Sequence, residues 1–183
     1  MLEAARQAGV KAFVYTSTCC VVTDDMRMSH LNINKQWPTS RVSLNYGESK
    51  VAAAEALVLG ASSSIMATCA LRPSVLCGPG DYQLVPAIHA CIAKYETPFI
   101  IGDGFNLWDI THVSNVADAH VLAVENLLSS RTAAGEAFFI QNNELIALRD
   151  FCLRYGLILD ISRPSNCRSR NHWPIWPGWC VRV

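Results

Sequence analysis

No G-x-G-x-x-G motif, and no comparable glycine-rich phosphate loop, occurs anywhere in these 183 residues. Such a loop opens a nucleotide-binding unit by letting the backbone approach a pyrophosphate. The eight cysteines contain no C-x-x-C pair, and no apolar signal stretch follows "MLEAARQAGVK". Both absences argue against a disulfide-stapled secreted domain and point to a reducing, intracellular setting. Cys69, Cys77 and Cys91 lie inside apolar runs and are expected to pack as small hydrophobes. The longest low-charge run, "VAAAEALVLGASSSIMATCAL", is interrupted by Glu55 and by the Gly-Ser cluster at 60–64, so no transmembrane segment is expected. Attachment to a membrane surface stays open.

Acidic residues stop at Asp160. Residues 1–162 carry a formal charge of −4, whereas residues 163–183 carry +4 through Arg163, Arg168, Arg170 and Arg182. That last stretch also holds Trp173, Trp176 and Trp179 with four Pro or Gly residues and no periodicity. It reads as an irregular end rather than a nucleic-acid surface. There are no internal repeats, and His112 and His120 lack the Cys, Asp or Glu spacing that would make a metal site. Asp118 suits the helix dipole better than catalysis.

About half of the residues are apolar, enough for the core of one domain or parts of two. Residues 2–8 read as a short helix stopped by Gly9, and "AFVYTST" (12–18) as a buried strand ending in hydroxyl residues. A polar, irregular segment at 23–44 follows. "YGESKVAAAEALVL" (46–59) has the composition of a strong helix ended by Gly60. "MATCALRPSVL" (66–76) predicts a second buried strand, "GPGD" (78–81) a turn, and residues 82–96 a helix despite Pro86. Strands are expected at 99–104, 108–113 and 136–141, a helix at 114–128 capped by Ser114 or Asn115, and one more helix over 145–156. The alternation predicts an α/β fold built on a parallel sheet covered by helices.

"YGESK" carries the first sign of chemistry. Residues i and i+4 of a helix share a face, so the Tyr46 hydroxyl and the Lys50 ammonium can reach one bound molecule. A nearby cation stabilises the phenolate, whose reference pKa is about 10, and makes it a usable acid or base nearer neutral pH. The spacing alone is common, but Ser17 and Thr18 stand at the carboxyl end of the preceding strand, where ligands bind in parallel sheets. Hydroxyl, phenol and ammonium together suit removal of a proton from a secondary alcohol as hydride leaves.

Taken in order, "FVYTST", "YGESKVAAAEALVL", "LRPSVLCGPGD" and "IIGDGFNLWDITHVSNVADAHVLA" resemble the extended short-chain dehydrogenase/reductases through most of residues 1–142. The resemblance implies a Rossmann-like sheet with helices on both faces, interleaved substrate-binding segments near 77–107, and a remnant of a small substrate domain with the irregular tail over 143–183. It assigns Thr18 as the active-site hydroxyl, Tyr46 as acid/base and Lys50 as the ribose-binding residue that tunes Tyr46. Ser17, Pro73, Ser74 and Val75 are implied to line the nicotinamide end of NAD or NADP, with NAD favoured.

Within that superfamily, sugar-nucleotide enzymes commonly hold a diphosphate with an Arg where this chain has Trp108, and an indole cannot replace a guanidinium there. The region from "GDG" onward instead resembles the 3β-hydroxysteroid dehydrogenases, in particular the sterol-4α-carboxylate 3-dehydrogenase type. That resemblance implies oxidation of a sterol 3β-hydroxyl, with Phe105 and Trp108 against the apolar rings, although packing in the core would explain both aromatics equally well. It also fits a homodimer or an association with a membrane surface, in the cytoplasm or on the endoplasmic reticulum. Two alternatives remain: a catalytically dead fragment that binds a sterol or a partner, and a sugar-nucleotide epimerase or reductase.

Relative to the family pattern, the first strand, the Gly-rich loop and the following strands are missing, and a truncated or misassembled reading frame is one expectation. The adenosine and pyrophosphate contacts would be lost with them. The isolated chain is therefore expected to bind NAD weakly or not at all in a calorimetric titration. Micromolar affinity would contradict this.

Overall fold

The computed structural model describes residues 1–22, 52–94, 96 and 107–158. The irregular segment expected at 23–44, the strand expected at 99–104, the helix start with Tyr46 and Lys50, Phe105 and the tail beyond residue 158 lie outside the described residues.

Helix α1 spans Leu2–Gln7, and Gly9 follows it at a φ of 71°. Strand β1 covers Ala12–Thr16, and a one-turn 3-10 helix covers Cys19–Val22. Helix α2 spans Ala52–Gly60. The expected strand at 66–76 is two strands: β2, Ala67–Pro73, and β3, Val75–Cys77. They belong to different sheets, β1-β2-β5 and β3-β4-β6, and the chain passes from one to the other at Ser74. Proline is the physical reason, since Pro73 brings no N–H with which to continue the ladder.

Beyond it, α3 spans Leu84–Ala93. Pro86 sits in its first turn, where a missing N–H breaks no helical bond. The Asp81 carboxylate accepts from the backbone N–H groups of Gln83, Leu84 and Val85 at 2.8, 3.0 and 3.1 Å. Those donors hold the Asp81 carboxyl below its usual pKa. The capping contribution is thus present above the ordinary carboxylate range and fades as pH falls through the lowered value.

Strand β4 covers Leu107–His112 and runs directly into α4, Val113–Leu128. The cap is not Ser114 or Asn115. His112 occupies that position, with its ring Nδ1 accepting from the Ser114 backbone N–H at 3.3 Å. Gly78 packs against this junction at a φ of 145°, and a Cβ there would lie 2.6 Å from Val113 Cγ1. Strand β5 is Ala137–Ile140. The helix expected at 145–156 is a strand, β6, Leu145–Ala147, followed by helix α5, Leu148–Ile158. Antiparallel pairing of β6 with β4 overrides the local helix preference of "LIALRD".

Strand β2 is buried along all seven residues and pairs in parallel with β1 and β5. Its alternating side chains serve two helices on opposite faces. Ala67, Cys69 and Leu71 pack with Ala123 and Leu127 of α4. On the other face the Thr68 hydroxyl donates to the Val58 carbonyl of α2 at 2.6 Å. Arg72 reaches Glu55 of α2, with Nε 3.1 Å from both carboxylate oxygens and Nη2 on Oε1. The Arg72 guanidinium also lies over the Phe139 ring of β5, 5.3 Å from its centroid. Val21 and Val22 pack near Tyr15 and Phe139.

The expected parallel sheet with helices on both faces is therefore present. The second sheet is joined to it through two buried residues of β4. Thr111 donates to the Ile140 carbonyl at 3.4 Å, and the Asp109 carboxylate accepts from the backbone N–H groups of Asn142 and Asn143 at 3.0 Å each. Of the cysteines expected in the core, Cys69 is buried and Cys77 half-buried, but Cys91 is exposed. It lies on the outer face of α3, whose buried side carries Ile88 and Ile92.

Breaking a buried pair strands the remaining charge, at a cost of about 3–5 kcal/mol. Glu55→Ala should lower the urea midpoint accordingly. Replacing Glu55 and Arg72 together with Leu and Met should recover most of the loss.

Candidate active site

Strands β1, β2 and β5 run parallel, so their carboxyl ends meet at one edge of the sheet. The Ser17 N–H donates to the Leu71 carbonyl at 2.7 Å and extends the ladder one residue beyond β1. The Ser74 N–H donates to the Ile140 carbonyl at 3.4 Å and ties the end of β2 to β5. The chain turns at Thr18, whose Oγ1 accepts from the Cys20 N–H at 3.4 Å. This is the side-chain-to-backbone bond by which Ser and Thr close turns.

Thr18 thus stands just past β1 and Ser74 directly after β2, at neighbouring ends of paired strands. Ser17 is buried, and its Oγ has no hydrogen-bond partner among the described residues. An unpaired buried hydroxyl costs about 1–3 kcal/mol, so a ligand group reaching it would gain a bond without displacing another. Pro73 closes β2 inside the sheet, and Val75 opens β3 half-buried.

Ser17, Thr18, Pro73, Ser74 and Val75 are therefore gathered at one edge. Trp108 is not at that edge but on β4 of the second sheet, opposite Ile146. Its indole Nε1 is buried with no partner among the described residues. Tyr46, Lys50 and Phe105 lie outside the described residues. No group of three or more His, Cys, Asp or Glu side chains able to hold a metal occurs among those described.

Two contributions were not visible in the sequence pattern. His120 holds the Thr16 hydroxyl through Nε2 at 2.7 Å, while its Nδ1 lies 2.7 Å from the Val116 carbonyl. The carbonyl can only accept, so Nδ1 carries a proton, and in the neutral ring Nε2 accepts from Thr16. This strut joins α4 to the end of β1. The residues are 104 positions apart, and no local signal links them. Cys19 and Cys20 are the second contribution. They follow Thr18 directly in sequence, and the turn brings the Cys20 N–H onto its hydroxyl.

The sequence matches the profile of the 3-beta hydroxysteroid dehydrogenase/isomerase family over residues 1–167. The chain belongs to this family. Among its members, the sterol-4-alpha-carboxylate 3-dehydrogenase, decarboxylating, of Schizosaccharomyces pombe is 43% identical over 82% of this chain and 44% of its own length. The human protein of that name is 32% identical over 96% of this chain and 46% of its own. A 3beta-hydroxysteroid-dehydrogenase/decarboxylase of Arabidopsis thaliana is 38% identical over 90% of this chain and 38% of its own. The chain thus spans less than half the length of each of these family members.

Solved structures share the fold. The dTDP-glucose 4,6-dehydratase of Bacillus anthracis, in complex with NAD, has a TM-score of 0.66 at 19% identity, covering 87% of this chain and 49% of that one. MoeE5, in complex with UDP-glucose and NAD, has a TM-score of 0.67 at 25% identity, covering 87% and 52%.

A neutral hydrogen bond contributes about 0.5–1.5 kcal/mol. Thr16→Val should destabilise the chain by that amount in chemical denaturation. His120→Ala added to Thr16→Val should cost less than the sum of the single changes, because both remove the same bond.

Proposed function

We propose that the chain carries the acid/base half of an NAD(P)-dependent oxidoreductase that converts the 3β-hydroxyl of a sterol to a ketone. The observation that supports this most strongly is the placement of Ser17, Thr18 and Ser74 at the carboxyl edge of paired parallel strands, in a chain whose relatives are named sterol dehydrogenases. Ligands of open parallel sheets bind at that edge. The residues there fit the nicotinamide end of the cofactor: the unpaired Ser17 hydroxyl offers a buried polar partner, and Pro73, Ser74 and Val75 form an adjoining wall. When bound, the nicotinamide supplies the hydride acceptor. NAD is favoured over NADP by the resemblance alone.

In this reading Thr18 hydrogen-bonds the substrate hydroxyl and fixes its orientation. Tyr46 takes the hydroxyl proton onto its phenolate oxygen, and Lys50 lowers the phenol's pKa with its charge. Trp108 and Phe105 offer apolar surface to the sterol rings. A sterol partitions into lipid, which favours a setting at a membrane surface such as that of the endoplasmic reticulum, and a homodimer is compatible with this. Among the described residues no helix is long and apolar enough to cross a membrane.

A second reading, a catalytically inactive chain that binds a sterol or a partner, draws on the absence of a Gly-rich phosphate loop from the sequence. NADH formation with a 3β-hydroxysterol at saturating NAD separates the two. Positioned acid/base groups supply about 10²–10⁴-fold, so Tyr46→Phe should lower the rate by at least the smaller factor. A rate unchanged in Tyr46→Phe overturns the proposed role. No NADH from the parent chain favours the inactive binder.

A further inference from the structure

Strand β1 is an edge of its sheet, whose order is β1-β2-β5. The Ala67 N–H donates to the Lys11 carbonyl and the Ser17 N–H to the Leu71 carbonyl, so the odd-numbered residues of this stretch turn their backbone groups toward β2. Those of Ala12, Val14 and Thr16 point the other way. Among the described residues no strand pairs with that outer side. Edges of this kind are ordinarily blunted by a charged side chain, a proline or a bulge. "AFVYT" contains no charge and no proline, and its register to β2 runs without a bulge.

Helix α4 supplies an apolar flank beside this edge. Its Ala123 and Leu127 face the core. To one side of them His120 reaches Thr16 of β1, and to the other Asn126 bonds Thr132 and the Ala133 N–H in the connection to β5. At about 100° per residue, Val124, Ala117, Leu128 and Val121 follow His120 round the helix, on the side toward the outer edge of β1. All four are exposed, Val121 at 58% and Leu128 at 57%. Asp118 and Glu125 lie further round, opposite the core, and keep their charges in water.

We propose that this edge and this flank together form an interface between two copies of the chain. A two-fold axis beside Val14, perpendicular to the sheet, sets Val14 opposite Val14 and Ala12 opposite Thr16 of the second copy. The outward-facing residues then become the hydrogen-bonded pairs of an antiparallel ladder, each pair exchanging two bonds. The same axis keeps both α4 helices on one face of the joined sheet and turns their apolar flanks toward each other across the junction. A two-fold interface requires a patch that complements itself. This one does so twice with one operation, in the ladder and in the helix pair, and no Asp, Glu, Lys or Arg lies in the edge or the flank to meet its own copy. Those features select a second copy as the occupant. The surface does not depend on the proposed catalytic reading.

Sedimentation velocity of the whole chain over a concentration series, paired with amide hydrogen exchange at low and high concentration, tests the proposal. The mass should pass from one chain to two as concentration rises, and the Val14 and Thr16 amides should exchange at least about tenfold more slowly in the dimer. Val121→Lys combined with Leu128→Lys should weaken association by about tenfold or more. Leu122→Lys, at an exposed position away from the flank, should leave it unchanged. A monomer at every concentration overturns the proposal. So does a dimer whose Val14 and Thr16 amides exchange at the monomer's rate, or one that Leu122→Lys weakens as much as the paired change. The exchange measurement is made on the parent chain and does not depend on any variant folding.

Discussion

A guanidinium and a carboxylate taken out of water together set the frame on which this chain's site stands. Arg72 and Glu55 are almost wholly buried, and each would be costly to bury alone. Arg72 touches three elements at once, through its own strand, the Glu55 carboxylate of α2 and the Phe139 ring of β5. It also lies next in sequence to Pro73 and Ser74. The pair thus fixes the last residues of β2 at the point where the chain leaves the first sheet, and the register to β1 and β5 then brings Ser17 and Ser74 to the same edge.

The polar groups at that edge and on the neighbouring strand β4 divide into two kinds. Some are spent on structure: Thr16 on His120, Asp109 on the backbone of Asn142 and Asn143, and Thr111 on Ile140. Others have no partner among the described residues, notably the Ser17 hydroxyl. In a core where buried donors and acceptors are ordinarily satisfied, an unsatisfied one beside Thr18 and Ser74 supports the proposed ligand site. Family membership supplies the chemical context, and the position of the leftover group supplies a physical one.

Much of the fold was legible because the β2 sequence is apolar without alternation, as a strand covered on both faces must be. Ser17 and Thr18 were legible as well, since "YTST" places hydroxyl residues directly at the end of β1, whereas Pro73 and Ser74 were assigned to the site by the family resemblance alone. The break at Ser74, the His112 cap and the strand at Leu145–Ala147 were not, because each is decided by a partner distant in sequence. The outward position of Cys91 follows from the rotation of α3 about its axis, which a uniformly apolar stretch does not specify. Arg72 shows the limit most clearly. In sequence it is one charge in an apolar run, and only the fold reveals Glu55 opposite it, 17 residues away.

The central claim is that β2 and the strand ends tied to it form one cooperative unit. Native-state amide hydrogen exchange measures this directly, residue by residue. The account predicts that the Ser17 N–H, bonded to Leu71, exchanges only with global unfolding, as slowly as the amides of β2 itself. Exchange at Ser17 as fast as at Gly9 would contradict it, since the hydroxyl edge would then open independently of the strand proposed to hold it.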